Sequence, residues 1–453
     1  GAANTGFDFE AAWRAVRPED VATLIYTSGT TGNPKGVETT HANLMFEATA
    51  VGQVLDIHFG DRITSFLPSA HIADRFTALY LQLVFGTQIT VVADPKQIAA
   101  AVVECQPTVW GAVPRIWEKF KQAIEHVAAV EPDQARREAM AQALAVAAEQ
   151  GALILAGEPI PAELAARWAA ADETVLSGLR ARLGFRELRW AVSGAAPIPA
   201  ATLAFFAGLG IPITEIWGMS ELSCICSVAA PTEARLGTVG KLLPGMEYRI
   251  AEDGEFLVRG PLVMKGYRKE PEKTAEAIDS DGWLHTGDVV SVDADGYLRI
   301  VDRKKELIIN ESGKNLSPAN IENALKVANP LVGTAVAIGD SRAFITALLV
   351  LDAEAAAGYA ARRGIDPDPR SLAKDPELVA TLQAGVAEGN TKLARVEQIK
   401  RFRVLPTFWE PGGDEMTPTM KLKRKPIAGK YSAEIDGLYA SPAGPGVHEP
   451  ASR

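Results

Sequence analysis

The most informative part of the chain is an eleven-residue loop, Tyr26-Thr27-Ser28-Gly29-Thr30-Thr31-Gly32-Asn33-Pro34-Lys35-Gly36. It follows residues 21–26, a β-branched and apolar run typical of a strand. Glycines permit unusual backbone angles, so successive N–H groups can converge on anionic oxygens, and the hydroxyls and Lys35 add further donors. The loop is therefore predicted to hold phosphate. It is not a Walker A loop, because Lys35 is followed by glycine rather than Ser or Thr.

Composition narrows the class of protein. The 453 residues favour roughly two to four domains. With 47% hydrophobic and 23% charged residues, the chain has the balance of a folded globular protein. The net charge of -10 argues against nucleic-acid binding, which needs a basic face. Its three cysteines suit a reducing cytosol rather than a disulfide framework, and we find no apolar run that predicts a transmembrane helix.

Changes in the pattern of predicted strands and helices divide the chain into two units. Residues 21–217 alternate β-branched runs with helical patterns, which predicts an α/β fold with a mostly parallel sheet. Within them, residues of about 116–182 predict a helical insertion, and Asp-Gly pairs predict a β subdomain at about 237–301. These elements form the first unit, residues 1–301.

A charged segment at residues 302–305 ends the first unit and is predicted to be a hinge. Residues 306–437 then restart as a small α+β domain. The final residues, 438–453, are rich in Pro, Gly and Ala and are predicted to be disordered.

A second motif, Trp217-Gly218-Met219-Ser220-Glu221, follows a predicted strand at residues 213–216. Ligands of open α/β sheets bind beyond the carboxyl ends of the strands, so this position suits a nucleotide site. The Ser220 hydroxyl can contact phosphate, and the Glu221 carboxylate can bind Mg²⁺. On residue types alone, a helix N-cap with a first-turn acid is an equally good interpretation.

Two further segments are less specific by themselves. Ser193-Gly194-Ala195-Ala196-Pro197 has side chains small enough for a flat ring to approach the backbone, but it is also typical of a strand-to-helix turn. The basic run at residues 417–424 is, on composition alone, a solvated surface segment.

Taken in order, these motifs resemble the signature segments of the adenylate-forming superfamily, which includes acyl-CoA synthetases, peptide-synthetase adenylation domains and luciferases. The resemblance extends from Tyr26 to Lys421, and the residues around His71 and Arg115 are similar to the long-chain acyl-CoA synthetase branch. It implies an α/β fold, with a large adenylation domain of parallel sheets and a β-rich subdomain, plus a small mobile α+β C-terminal domain.

The resemblance also assigns roles to residues. The implied catalytic residues are Lys421, Glu221, Ser220 and His71, and the implied metal ligands are Glu221 and Thr30. The implied nucleotide-binding and cofactor-binding residues are Thr27, Ser28, Gly29, Thr30, Thr31, Gly32, Lys35, Gly194, Ala195, Trp217, Gly218, Asp288, Arg303, Lys305 and Gly313. Trp217 is implied to lie against adenine and Asp288 to bind the ribose. Lys423 and Lys425 are rivals of Lys421, because Met420 stands where glycine is usual.

The implied function is ATP-dependent activation of a long-chain fatty acid, first to acyl-AMP and then to acyl-CoA, with release of pyrophosphate and AMP. ATP, Mg²⁺ and coenzyme A are the implied cofactors, and together with the fatty acid they are the expected small-molecule partners. Lys305 is the implied hinge between the two half-reactions. Two other interpretations stay open: an acyl-AMP ligase that loads a carrier protein, and a non-catalytic acyl- or nucleotide-binding remnant.

Only about twenty residues precede the loop, whereas superfamily members usually carry a substantial additional N-terminal region. We therefore expect an N-terminally truncated chain whose exposed apolar surface is covered by a partner. The expected location is cytoplasmic, with peripheral membrane contact.

Overall fold

The computed structural model of the protein describes residues 6–27, 34–311, 314–417 and 420–451. Its strands are β1 (Val21–Thr27), β2 (Lys35–Thr40), β3 (Arg62–Ser65), β4 (Gln88–Val91), β5 (Val109–Ala112), β6 (Trp190–Ser193), β7 (Ile213–Glu215), β8 (Ser227–Val228), β9 (Lys241–Leu242), β10 (Glu247–Ile250), β11 (Glu255–Arg259), β12 (Gly266–Tyr267), β13 (Leu284–Val292), β14 (Leu298–Arg303), β15 (Ile308–Ile309), β16 (Asn315–Leu316), β17 (Val332–Ile338), β18 (Ile345–Leu351), β19 (Ile399–Val404) and β20 (Val447–His448). Its α-helices are α1 (Phe9–Arg14), α2 (His41–Val54), α3 (Ile72–Asp74), α4 (Leu81–Phe85), α5 (Ile98–Cys105), α6 (Pro114–Val130), α7 (Gln134–Ala156), α8 (Ala162–Ala171), α9 (Ser177–Arg182), α10 (Ala200–Gly208), α11 (Pro271–Ala277), α12 (Pro318–Ala328), α13 (Ala353–Arg363), α14 (Pro369–Leu372), α15 (Pro376–Asn390), α16 (Arg424–Lys430) and α17 (Ser432–Tyr439).

Parallel strands form the centre of the large unit, as the alternating pattern predicts. β3 pairs with β4, and β5, β6 and β7 pair in that order, all in parallel. Helices cover these strands, and an aromatic cluster of Trp110, Trp117, Phe120, Phe185 and Phe206 fills the space beneath them. The predicted α/β class with parallel sheets is confirmed.

One strand lies in a different sheet from the one predicted. β1 pairs antiparallel with β2, and β2 pairs antiparallel with β12. The physical reason is that β1 and β2 are joined directly by the short loop after Thr27, and so short a connection can link only antiparallel neighbours.

The region predicted to be a helical insertion contains α6 to α9. α7 packs closely on α10 at Gly151 of α7 and Gly208 of α10. A β-carbon at either glycine would meet a backbone carbonyl oxygen of the other helix at 2.0 Å. Within the described residues, α7 is also the one helix whose length and composition would allow it to cross a membrane. Its close contact with α10 gives its small apolar residues a packing role within the protein.

The predicted β subdomain contains an antiparallel sheet in the order β10-β11-β13-β14. Gly254 and Gly296 occupy the turns before β11 and β14 with φ of 83° and 85°, which is a backbone conformation that glycine adopts without strain. This sheet places Asp288, in the middle of β13, opposite Arg303 at the end of β14.

The small unit has a sheet in the order β17-β18-β19-β20, with α12, α13 and α15 packed around its core. The prediction of a disordered tail from residue 438 is wrong for the residues described. β20 pairs with β19, and Ala451 N–H donates to the carbonyl of Gln383 at 3.1 Å. Composition suggested disorder, but the open edge of β19 offers backbone partners that stabilise the segment.

Ion pairs join the start of α6 to the small unit. They are Arg115 with Asp352, Glu118 with Lys326 at 3.2 Å, and Lys119 with Glu354 at 2.9 Å. Because Arg115 and Asp352 are mostly buried, this contact fixes the small unit over the large one more strongly than exposed pairs would. Since α6 begins directly after β5, these ion pairs hold part of the small unit near the carboxyl end of β5.

Candidate active site

The predicted phosphate loop is the connection of a β-hairpin. Thr27 and Lys35, which flank the loop in the sequence, lie opposite each other in the β1–β2 register. The Lys35 ammonium lies 4.0 Å from the centre of the Tyr267 ring. The loop residues Ser28, Gly29, Thr30, Thr31 and Gly32 lie outside the described part of the chain.

Glu221 lies beside the base of this loop. It is buried in a short 3₁₀ turn, Ser220–Leu222, and its Oε1 accepts a hydrogen bond of 2.9 Å from the Tyr267 hydroxyl. Tyr267 thus contacts Glu221 with its hydroxyl and Lys35 with its ring face. The two motifs singled out in the sequence are therefore neighbours across one tyrosine.

Asp288 is the centre of a second cluster. Its carboxylate accepts hydrogen bonds from Trp217 Nε1 at 2.8 Å and pairs with Arg303 Nε at 2.7 Å. Asp288 and Arg303 face each other across the β13–β14 ladder. Burial raises the pKa of Asp288 above its ordinary value, while Arg303 and Trp217 act in the opposite direction. The Trp217 ring, meanwhile, packs edge-on against Phe256.

Lys421 from the small unit reaches the same region. Desolvation and repulsion from Arg303 lower the pKa of Lys421, while the carboxylates of Asp288 and Glu221 oppose that shift. Lys421 keeps solvent-accessible surface. Its rival Lys423 is engaged elsewhere, because its ammonium donates to the carbonyl of Gly413 at 2.8 Å.

His71 completes the cluster from the start of α3. Its Nδ1 accepts a hydrogen bond of 3.2 Å from the N–H of Ala73, so the ring proton of the neutral form is on Nε2. Desolvation and then the nearby Lys421 lower the pKa of His71 from 6.5 to about 4. At neutral pH, His71 is therefore uncharged and does not repel Lys421.

The remaining predicted residues surround these clusters. Gly194 follows β6, and a β-carbon there would lie 2.6 Å from Ile216, while Ala195 has a φ of 71°. Lys305 is exposed in the turn between the two units. Gly313 lies outside the described residues.

A scan against protein families gives two matches. Residues 4–268 match the model described as AMP-binding enzyme, and residues 305–443 match the one described as AMP-binding enzyme C-terminal domain. Together they cover nearly the whole chain. The chain belongs to the AMP-binding enzyme family.

Two curated relatives show which members of the family this enzyme is similar to. It is 68% identical to fadD11 of Mycobacterium tuberculosis, a provisionally named fatty-acid–CoA ligase, over 98% of this chain and 78% of that protein. It is 39% identical to the long-chain-fatty-acid–CoA ligase FadD15 of the same organism, over 97% of this chain and 72% of the relative. The family inferred from the motifs is confirmed.

Solved structures support the same fold. The adenylation domain of a carboxylate reductase from Mycobacterium chelonae matches with a TM-score of 0.68 at 21% identity, over 93% of this chain and 60% of that one. O-succinylbenzoate coenzyme A synthetase from Bacillus subtilis, in complex with ATP and magnesium ion, matches with a TM-score of 0.60 at 24% identity, over 90% and 70%.

A single acidic ligand suits the metal that the enzyme's family implies. Within the described residues, no three His, Cys, Asp or Glu side chains cluster as a metal-binding group. Mg²⁺ is typically bound by one or two carboxylates together with substrate phosphates, so Glu221 beside the phosphate loop is a chemically suitable donor. The donor set therefore fits Mg²⁺ that arrives with a nucleotide.

Sequence reasoning did not find Tyr267, which connects Lys35 to Glu221. The residue lies 46 positions after Glu221 and is placed by β12, whose pairing with β2 depends on tertiary structure. Its only local signal was the Gly266-Tyr267 pair, and a β-carbon at Gly266 would lie 2.9 Å from Thr274. The lack of space at Gly266 indicates that the tyrosine after it has a fixed position. It does not indicate that this tyrosine contacts Glu221.

We expect His71 to make the enzyme's stability depend on pH. Its pKa falls from 6.5 to about 4 on folding, so between those values the unfolded chain binds more protons than the native one. The stability contribution should therefore be complete above about pH 6.5 and decline as the pH falls towards 4. Denaturation midpoints measured at several pH values should show this slope in the wild type and a shallower one in His71→Asn, which keeps a helix-capping acceptor. Identical slopes would exclude the effect.

Proposed function

We propose that this enzyme activates a long-chain fatty acid in two half-reactions, forming acyl-AMP from ATP and then acyl-CoA from coenzyme A. The observation that supports this most directly is that Lys421 of the small unit interacts electrostatically with both Asp288 and Glu221 of the large unit. The relatives named as fatty-acid–CoA ligases match this chain over nearly its full length.

The first half-reaction requires two anions to meet. A fatty-acid carboxylate oxygen forms a bond to the α-phosphorus of ATP, and the bond to pyrophosphate breaks. Little covalent chemistry is needed from the protein, so positioning and charge stabilisation supply the rate enhancement. We assign Lys421 to the developing charge on the α-phosphate, Asp288 to the ribose and neutral His71 to the acyl carboxylate. Bound Mg²⁺ would supply further positive charge on the phosphates beside Glu221.

In the second half-reaction, the coenzyme A thiolate attacks the acyl carbon, and AMP leaves. We propose that Lys421 withdraws at this stage by rotation of the small unit about Lys305. The contacts on either side of Lys305 support this position. Lys304 pairs with Glu255 of the large unit at 3.0 Å, whereas Glu306 accepts from Arg424 of the small unit at 3.1 Å. Lys305 lies between the two anchored residues.

A proline at this position should separate the half-reactions. Lys305→Pro fixes φ in the hinge, so we expect adenylation, which needs Lys421 near Asp288 and Glu221, to continue while the coenzyme A step slows several-fold. Pyrophosphate release and thioester formation, measured separately in single turnovers, test this expectation. Lys305→Ala is the control and should resemble the wild type, since the exposed side chain is free to change. Wild-type rates of both half-reactions in Lys305→Pro would count against a hinge at this position.

The proposed function itself is tested by ATP–pyrophosphate exchange across carboxylic acids of increasing chain length, followed by addition of coenzyme A. We expect exchange that depends on a long-chain fatty acid, and then release of free acyl-CoA. Exchange without acyl-CoA formation would favour a ligase that serves a carrier protein. No exchange with any acid would favour the binding remnant. Peripheral membrane contact and a covering partner stay predictions from the sequence.

A further inference from the structure

Tyr267 is held rigidly at the junction of the two phosphate-site motifs. It is buried, its N–H donates to Thr274 Oγ1 at 2.9 Å, and its backbone pairs with Val37 in β2. The same β2 strand begins with Lys35, so the ring and the lysine are fixed on adjacent strands. Such a rigid side chain can set the orientation of the groups that it contacts.

The Tyr267 hydroxyl restricts the carboxylate of Glu221. Its hydrogen bond of 2.9 Å occupies Oε1 and so limits rotation of the carboxylate plane. The phenol O–H is the donor in this hydrogen bond, because the Glu221 oxygen can only accept. A carboxylate held at one oxygen presents the other in a defined direction, as hydrogen-bonded partners of metal ligands commonly achieve.

The ring of Tyr267 has a separate partner. The ammonium of Lys35 lies over its face at 4.0 Å, a distance at which a cation is attracted by the aromatic quadrupole. This contact places a positive charge at the base of the phosphate loop without drawing it into a direct pair with Glu221. Glu221 and Lys35 therefore both contact Tyr267, and each can still bind a different part of one ligand.

We infer that Tyr267 is a positioning residue that orients Glu221 for a divalent cation with its hydroxyl and Lys35 for the nucleotide phosphates with its ring. This inference rests on the proposed function for its reaction, but its effect is on Mg²⁺ and nucleotide binding. It predicts that the hydroxyl and the ring can be separated by mutation. Tyr267→Phe removes the hydroxyl alone, and Tyr267→Leu also removes the ring.

The test is calorimetric binding of ATP to the full chain at increasing Mg²⁺ concentrations, without a fatty acid. Tyr267→Phe should weaken the Mg²⁺-dependent gain in ATP affinity by about tenfold and leave Mg²⁺-free binding unchanged, because loss of a partner of a metal ligand has effects of this size. Tyr267→Leu should weaken ATP binding in both conditions. If the role of the Tyr267 hydroxyl were only structural, Tyr267→Phe would lower the affinity for ATP equally with and without Mg²⁺.

Tyr297 offers a matched control in the same β subdomain. It is also buried, its hydroxyl donates to the carbonyl of Glu233 at 2.8 Å, and Arg235 lies over its ring at 4.0 Å. Tyr297→Phe should leave the Mg²⁺ dependence at the wild-type value. An unchanged Mg²⁺ dependence in Tyr267→Phe would overturn the inference. If the wild type binds ATP with Mg²⁺ but shows no fatty-acid-dependent exchange, the proposed function fails while the role of Tyr267 stands.

Discussion

Replacing Lys421 with alanine is expected to lower fatty-acid-dependent ATP–pyrophosphate exchange by about 10²–10³-fold, the usual effect of removing one group that stabilises transition-state charge. Lys421 is the lysine of its segment whose charge interacts with Asp288, Glu221 and Arg303. Positive charge at this point would favour the additional negative charge on the α-phosphate oxygens. Formation of acyl-CoA from supplied acyl-AMP should be nearly unaffected, because that step expels AMP without a triphosphate.

The two neighbouring lysines provide controls for this prediction. Lys423→Ala removes a hydrogen bond to the carbonyl of Gly413, and Lys425→Ala removes an exposed side chain. Both variants should retain exchange close to that of the wild type. Equal exchange in Lys421→Ala and the wild type would return the assignment to the other lysines. An equal loss in both half-reactions would indicate a structural role for Lys421.

The largest effect on folding is expected from Gly218→Ala. A β-carbon at this position would lie 1.8 Å from the carbonyl oxygen of Cys224 and 2.7 Å from its carbon. Both are backbone atoms, so rotation of a side chain cannot relieve the clash. We expect the free energy of unfolding of the large unit to fall by about 3 kcal/mol, at the upper end of overpacking effects. The strain would also displace Trp217 and the turn that carries Glu221.

Gly178→Ala is the matched control for Gly218→Ala. Gly178 lies in α9 with no atom within 4 Å of an added β-carbon, so alanine should be neutral or should stabilise the helix by up to about 1 kcal/mol. Chemical denaturation, followed by tryptophan fluorescence, and binding of ATP measure the two consequences. A wild-type denaturation midpoint and ATP affinity in Gly218→Ala would show that the backbone at Cys224 moves freely.

Local sequence patterns were enough to predict much of the fold. Thr40 stands just before a helical pattern, a position typical of an N-cap, and in the structure it caps α2 in a capping box with Asn43. The apolar run at residues 345–351 predicts a strand, and it forms β18 with those limits. Caps, turns and buried runs depend on residues close together in the chain, so they are readable before the fold is known.

Patterns failed where the partner was distant in the chain. The Pro, Gly and Ala content of residues 438–453 predicts disorder, yet β20 within this segment pairs with β19, more than forty residues earlier. The alternation of β-branched runs and helical patterns over residues 21–217 predicts a mostly parallel sheet, but the hairpin of β1 with β2 requires an antiparallel neighbour. Strand composition does not specify a partner, and pairing is decided by the tertiary structure.

The sequence by itself determined the family and its chemistry, because the glycine and hydroxyl loop and the Ser220-Glu221 pair are functional groups fixed by covalent spacing. Only the tertiary structure decided how those groups act on one another. It placed Tyr267 between Lys35 and Glu221, joined Trp217 to Asp288, and brought Lys421 within reach of the charges of Asp288 and Glu221. Each of these contacts depends on how separate segments pack, and packing is a property of the whole chain.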